Sequence, residues 1–371
     1  MANIDKQAKI RVGIVGVGNW GRYGHIPVLH LLPSFEMVAV ASRRKEYAQE
    51  TAKQFAIAHA FTDANELITH PDVDLVVVLP PAPQHAAFVR AAIAAGKDIY
   101  CEWPLTTNIA DTEDLLTRAE AAGVRHIVGL QRRMGPSARF ARDLLAQGYV
   151  GQVRSVRMHV SMNYFQGRRS TDLAWTIPPE NFSHILSIYG GHFLDMLFHV
   201  VGPPQNLSSV VKEQFPAITL IETGETFPNK TPDQVAAIGT LANGAVFSIQ
   251  VEGGKRNNSG LQIDITGMEG DLKISNALSF QNPEDNIVEG SQGDGEALSV
   301  LSIPVTYQGL PASNLDASVL DLAYLYSAYA DDREKGTRNA PTFTDAVKMH
   351  KLIDVISEGA STRMQKSVNF W

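Results

Sequence analysis

The chain has 371 residues, 44% of them hydrophobic and 19% charged, and a formal net charge of −7. Its only cysteine is Cys101, which excludes an intrachain disulfide and a cysteine-based zinc site. No apolar run reaches the roughly 18 residues of a membrane helix, and the polar first nine residues lack the apolar region of a secretory signal. A soluble, cytoplasmic protein of about two domains is expected. The pairs Arg132-Arg133 and Arg168-Arg169 are too short for a nucleic-acid footprint, so no direct nucleic-acid partner is expected.

In chain order, residues 9–15 (KIRVGIV) read as a buried strand, followed by a glycine turn and a helix over 23–32 closed by Pro33. Residues 36–41 (EMVAVA) form a second apolar run. Residues 45–55 have helical period, and 63–69 form a short helix with Asp63 placed to cap it. Strands are predicted over 74–79 (DLVVVL), 98–101 (DIYC) and 126–130, and helices over 84–95 and 112–122, ended by Gly96 and Gly123. Strands alternating with helices at this spacing form β-α-β units on a parallel sheet. Continuous apolar strands fit burial on both faces. Residues 1–131 therefore read as a doubly wound α/β domain.

The pattern changes in 132–371. After a helix over 136–147, residues 153–160 (VRSVRMHV) alternate polar and apolar, as do 235–240, 245–251 and 261–266. Asn243-Gly244 between two of these is a hairpin signal. Helices are expected over 318–330 and 344–359, and a surface loop over 281–297, where Gly, Asn, Gln, Asp and Glu dominate. This half reads as an α+β domain with a large open, mostly antiparallel sheet. Its exposed face suits pairing with a second copy, since two-fold dimers are the commonest oligomer. The late helices are candidates to pack back on the first domain.

The glycine turn is Gly16-Val17-Gly18-Asn19-Trp20-Gly21. Alone, this spacing marks only a tight turn. Directly after a buried strand and before a helix, it marks dinucleotide binding. Gly16 permits the sharp turn, Gly18 lets backbone N–H groups approach a pyrophosphate, and Gly21 lets helix and strand pack closely. The anion sits at the helix N-terminus, where unpaired N–H groups and the macrodipole favour it. NAD sites carry an acid at the end of the second strand, about 20 residues on. Ser42-Arg43-Arg44 stands there, with no carboxylate. Two guanidinium groups suit a 2′-phosphate, so NADP is favoured over NAD. Pro80 and His85, just past the third strand, border the ligand crevice expected at strand C-termini.

Three further stretches carry a resemblance: Cys101-Glu102-Trp103-Pro104-Leu105, Gly129-Leu130-Gln131-Arg132-Arg133, and the run from Gly190-Gly191-His192 through Asp195 to His199. With the glycine turn, they resemble the glucose–fructose oxidoreductase, inositol dehydrogenase and rhizopine-catabolism family along essentially the whole chain. The resemblance implies a nicotinamide-dependent oxidoreductase acting on a CH–OH group of a sugar, polyol or related hydroxy compound. In that family the fourth-strand motif reads Glu-Lys-Pro, and its lysine joins an Asp and a His around the substrate hydroxyl. Asp195 and His199 match by spacing. Four residues apart, they share one face of a helix. The resemblance gives His199 the part of the base that removes the hydroxyl proton, and Asp195 that of holding the substrate or tuning His199.

Trp103 stands where the family has lysine. An indole carries no positive charge and relays no proton. The same Glu-Trp variant is similar to the branch of the yeast galactose-pathway repressor, as are 144–151 (LLAQGYVG), 239–244 (GTLANG) with Gly253-Gly254-Lys255, and 263–273 (IDITGMEGDLK). That branch implies the alternative function, a dinucleotide-binding regulator with little or no catalysis. Trp103 either stacks on nicotinamide or substrate or fills a cavity. Glu102 contacts the nicotinamide pocket or anchors the turn before Pro104, whose preceding bond is a candidate cis peptide. Arg132 and Lys255 are candidate replacement cations, and an arginine there binds or polarises without losing a proton. His192 is a further pocket candidate. Tyr164, Arg168 and Arg169 lie in a stretch that either meets substrate or is merely solvated. The histidines show no spacing of the His-Glu-x-x-His kind, so no metal is expected.

Overall fold

The computed structural model describes residues 8–254, 260–280 and 282–371. It divides into two compact units. The first comprises residues 1–129, 310–314 and 322–347, and the second residues 130–309, 315–321 and 348–371. The candidate cation Lys255 lies outside the described residues.

The first unit is built on a parallel six-stranded sheet of β1 (Ile10–Val15), β2 (Phe35–Ala41), β3 (His59–Phe61), β4 (Leu75–Val78), β5 (Asp98–Cys101) and β6 (His126–Val128), in spatial order β3-β2-β1-β4-β5-β6. The run Leu75-Val76-Val77-Val78 is wholly buried, as a central parallel strand covered on both faces must be. The crossovers carry α1 (Ile26–Leu31), α2 (Lys45–Gln54), α3 (Ala64–Ile68), α4 (His85–Ala94) and α5 (Ile109–Ala122). Caps set their ends: Asp63 accepts from the Asn65 amide, Asn108 accepts from the Asp111 amide, and Gly123 closes α5 in the left-handed region at φ 67°. The helix after the glycine turn begins at Asn19, earlier than its apolar pattern predicts, and passes through a π-helical turn at Gly21–His25 before α1.

The second unit is a nine-stranded sheet in spatial order β17-β16-β15-β14-β7-β13-β12-β9-β18. Its members are β7 (Val153–Met162), β9 (Pro204–Lys212), β12 (Gln234–Leu241), β13 (Val246–Gly253), β14 (Leu261–Gly267), β15 (Gly270–Asn276), β16 (Ile287–Gln292), β17 (Ser299–Val300) and β18 (Lys366–Ser367). Every neighbouring pair is antiparallel except β7 and β13, which run parallel at the centre. Gly244, at φ 87°, makes the turn between β12 and β13. A small satellite sheet joins β8 (Arg168–Arg169), β10 (Ala217–Leu220) and β11 (Thr226–Pro228). Two expectations need correction: 281–297 is not a loop throughout, since β16 lies within it, and Arg169 is buried rather than solvated, its guanidinium donating to Thr176 Oγ1.

Period-two burial along β14 (Leu261, Ile263 and Ile265 inward) buries one sheet face. The helix α7 (Gly191–Val201) contributes to that covered side, with Phe198 meeting Phe247 edge-on at 5.6 Å. Val210, Ile238, Val246 and Ile287 are exposed on the sheet strands. The remaining helices are α6 (Pro136–Ala146), α8 (Ala317–Lys335) and α9 (Phe343–Thr362). No described helix is long and apolar enough to cross a membrane.

Candidate functional site

The three glycines have three distinct environments. Gly16 has φ +92°, and a Cβ there would meet Pro80 at 3.2 Å, so the turn is strained for any side chain and lies against the end of β4. A Cβ on Gly21 would meet the Gly16 carbonyl at 3.1 Å and Leu79 at 3.2 Å, the close helix–strand approach expected of the third glycine. A Cβ on Gly18 would meet nothing within 4 Å. The open side of the turn is thus at its second glycine, where a pyrophosphate takes the helix N-terminal amides, and these residues fit a dinucleotide.

Beyond β2, Arg43 and Arg44 are exposed. The Arg44 guanidinium lies 3.8 Å from the centre of the Tyr47 ring, and Arg22 approaches the same ring at 5.9 Å. Arg22 also donates to Gln54 Oε1 at 2.6 Å. The Ser42 hydroxyl oxygen accepts from the Arg44 amide at 3.3 Å. Three arginines and a tyrosine therefore gather where an NAD site carries its acid. Arg22 and Tyr47 were not singled out in the sequence; their signal is a helical position facing the end of β2.

Glu102, past the end of β5, is a hub. Its Oε1 accepts from Trp20 Nε1 at 2.9 Å, His25 Nε2 at 2.7 Å and the Tyr100 hydroxyl at 2.8 Å. Burial pushes the carboxyl pKa up, but the hydrogen bonds from His25, Trp20 and Tyr100 outweigh it and hold the group below the usual carboxylate range. The carboxylate thereby fixes Trp20 of the glycine turn. A Cβ on Gly129 would come within 2.9 Å of Glu102 Oε2, so glycine is required beside the hub. Trp103 is 5% exposed and is joined to Pro104 by a cis peptide. His85 is buried; its Nδ1 lies 2.9 Å from the Pro104 carbonyl and its Nε2 2.5 Å from that of Pro80. Burial lowers its pKa against the opposing pull of these carbonyls, so a neutral ring donates to one of them. His85 thus ties the turns at Pro80 and Pro104 together.

In the second unit, α7 presents Asp195 fully buried, with both carboxylate oxygens held by Arg133: Nε to Oδ2 at 2.7 Å and Nη2 to Oδ1. His199 is the half-buried position on an otherwise buried helix, and its Nε2 lies 2.9 Å from Arg142 Nη1. A guanidinium only donates, so Nε2 is the acceptor and the ring is the neutral Nδ1–H tautomer. Both Asp195 oxygens are thus engaged by Arg133, each with one further lone pair.

Arg132 is 6% exposed, donates Nη1 to Asp321 Oδ2 at 2.9 Å, and lies 4.1 Å from the centre of the Phe280 ring. His192 and Tyr189 meet the same ring at 5.5 and 4.8 Å. Arg132 Nε and Nη2, and the neighbouring Gln131 Oε1, are buried with no hydrogen-bond partner among the described residues. Burial raises the Asp321 pKa to about 7 in spite of Arg132, with Asp285 adding repulsion. Tyr164 is half-buried, 6.1 Å from Tyr189 between ring centres. Asp321 and Arg142 were missed in the sequence, and Arg133 was given no role there, because their partners lie far away along the chain.

Residues 10–130 match the oxidoreductase family with the NAD-binding Rossmann fold, and residues 136–276 match the C-terminal domain of Gal80p. The chain thus joins a Rossmann segment of that oxidoreductase family to a Gal80p-like segment. It is 28% identical to dehydrogenase aclE of Aspergillus oryzae over 95% of this chain and 97% of that one. It is 26% identical to the galactose/lactose metabolism regulatory protein GAL80 of Kluyveromyces lactis, covering 76% and 66%. Mouse trans-1,2-dihydrobenzene-1,2-diol dehydrogenase is 32% identical over 54% of this chain and 60% of its own. Two solved structures share the fold. A Gal80p super-repressor mutant of Saccharomyces cerevisiae has a TM-score of 0.87 at 23% identity, over 97% of this chain and 98% of that one. Levoglucosan dehydrogenase in complex with NADH and L-sorbose has a TM-score of 0.85 at 21% identity, over 98% and 99%. Proteins named as dehydrogenases and as regulators are thus both similar to this chain, so the fold alone does not decide between the two.

Proposed function

We propose that this protein is an NADP-preferring oxidoreductase that transfers a hydride between the cofactor and a sugar, polyol or related hydroxy compound. The observation that carries the substrate class is that Arg132 Nε, Arg132 Nη2 and Gln131 Oε1 are buried without a hydrogen-bond partner among the described residues. Buried donors beside a buried acceptor call for a ligand group that both accepts and donates, which a hydroxyl does. The cofactor preference rests on Arg22, Arg43 and Arg44 with Tyr47, a set built for a 2′-phosphate. Ser42 to Arg44, the Gly16–Gly21 turn and Pro80 are the residues that hold the dinucleotide. When bound, nicotinamide supplies the hydride acceptor or donor. His199, neutral and oriented by Arg142, takes the hydroxyl proton at Nε2 once Arg142 yields that position. Asp195 holds Arg133 and keeps α7 in register. Trp103 supplies no proton relay, so turnover below that of lysine-bearing relatives is expected.

The second reading is a dinucleotide-responsive regulator. It is favoured by Trp103 and by the match of 136–276 to the Gal80p C-terminal domain. Single-turnover reduction of NADP⁺ with a pool of sugars, polyols and sugar acids separates the two. NADPH formation lost in His199→Ala supports the oxidoreductase. Silence in both wild type and Trp103→Lys, with NADP⁺ binding demonstrated, establishes the regulator instead. We further propose that two copies pair through the exposed sheet face bearing Val210, Ile238 and Val246.

A further inference from the structure

Among the described residues, His59, His70 and Asp72 offer ligand atoms that all lie within 4.8 Å of one another. Their spacing in sequence hides the grouping. His59 opens the edge strand β3, whereas His70 and Asp72 flank Pro71 in the turn from α3 to β4. We propose that these three residues form a zinc-class divalent cation site on the edge of the first unit, separate from the dinucleotide chemistry.

The geometry is close to a ligand set. His59 Nε2 lies 3.6 Å and His70 Nδ1 3.9 Å from the same oxygen, Asp72 Oδ2, and the two imidazole centres are 4.4 Å apart. A tetrahedral cation with bonds of about 2.0–2.1 Å needs ligand atoms about 3.4 Å apart. Side-chain adjustments on the order of an ångström close that difference. Two imidazoles and one carboxylate suit zinc, cobalt or nickel, whereas magnesium and calcium prefer all-oxygen sets. The three side chains are 37%, 22% and 51% exposed, so a cation enters from solvent and keeps water in its remaining position.

The surrounding bonds preorganise the set. Arg11 Nη1 holds the other oxygen of Asp72 at 3.0 Å, leaving Oδ2 turned to the imidazoles. Asp74 takes the rest of the Arg11 charge, through Nε at 3.1 Å and Nη2 at 3.0 Å. The turn backbone is pinned by Arg11 to the Pro71 carbonyl and by Lys97 to the carbonyls of His70 and Val73. The Asp72 amide donates to His70 Nδ1 at 3.2 Å, a bond that a cation at Nδ1 would replace. Arg11 and Lys97 oppose a cation and Asp72 and Asp74 favour it. The expected affinity is therefore moderate, tighter than ~100 μM but short of a structural zinc finger. A cation here joins β3 to the turn before β4 and braces the sheet edge.

The test is titration of the chelator-treated full-length protein with Co²⁺, followed by visible absorption, and with Zn²⁺, followed by the unfolding temperature. One equivalent of Co²⁺ with a four-coordinate d–d band is expected. His59→Ala with His70→Ala should weaken it by at least ~10–100-fold, the cost of losing even supporting contacts at metal sites. Asp72→Asn, which keeps the side chain's shape, should weaken it as well. Zn²⁺ should raise the unfolding temperature of wild type and not of the double variant. Unchanged cobalt binding in the double variant, or no saturable binding in wild type below ~1 mM, overturns the proposal.

Discussion

Replacing Glu102 by alanine removes the one acceptor shared by Trp20, His25 and Tyr100. His25 and Tyr100 are fully buried, so neither lost bond is replaced by water. Each buried donor left unpaired costs about 1–3 kcal/mol. Trp20 is half-buried and recovers part of its bond from solvent. The expected loss is about 3–5 kcal/mol, a large share of the 5–15 kcal/mol typical of a folded domain. Glu102→Gln keeps an acceptor oxygen but loses the charge assistance and is expected to cost about 1–2 kcal/mol. Urea unfolding at pH 7 measures both, in a background with Trp175→Phe and Trp371→Phe so that fluorescence reports the two tryptophans of the first unit. The pH dependence adds a check. A carboxyl held below its ordinary value stabilises fully above the unfolded pKa of about 4.3 and progressively less as pH falls through the folded value. The difference between wild type and Glu102→Gln should stay level from neutral pH down to about 5 and then shrink. A loss below about 1 kcal/mol in Glu102→Ala would refute the hub.

Arg44→Ala should weaken NADP⁺ by about 10–100-fold, the worth of a charge-assisted phosphate contact, and leave NAD⁺ nearly unchanged, as read by fluorescence titration. Asp321, raised from 3.8 to about 7, binds a proton more readily folded than unfolded, so its ionisation opposes folding. Stability of wild type should therefore rise as pH falls from 8 toward 4, by up to about 4 kcal/mol, and Asp321→Asn should abolish that slope in chemical denaturation. If the proposed pairing through the sheet face holds, wild type should be a dimer by light scattering and Ile238→Glu, at a site 61% exposed on β12, a monomer with a nearly unchanged unfolding temperature.

The first unit was legible where chemistry and pattern coincide. β4 is a continuous apolar run, β1 and β5 are apolar but for Arg11 and Asp98, and the roles of the three glycines follow from the turn itself. The edge strand β3 was not, because three residues with no fully buried side chain carry no pattern. In the second unit β9 escaped because its buried positions are few, and β16 because Val288 and Gly290 are its only buried residues amid polar ones. At the candidate site the residue types were readable and the pairings were not. Asp195 with Arg133 and Arg132 with Asp321 join positions 62 and 189 residues apart, and ion pairs leave no periodicity. The trio proposed to bind a cation was hidden because His59 and the His70–Asp72 pair lie on either side of α3.

The first unit is completed by residues from near the end of the chain. Tyr326 stacks on Tyr100 at 5.1 Å and bonds His25 Nδ1 through its hydroxyl at 2.8 Å, and the Val128 amide donates to the Pro341 carbonyl. A ribosome that has released residues 1–129 has therefore released an unfinished unit, one whose buried tyrosine and histidine await partners still to be translated. Its hydrophobic surface stays uncovered through the synthesis of nearly two hundred further residues. A nascent chain stalled before residue 322 therefore lacks Tyr326 and Pro341, the partners of Tyr100, His25 and Val128.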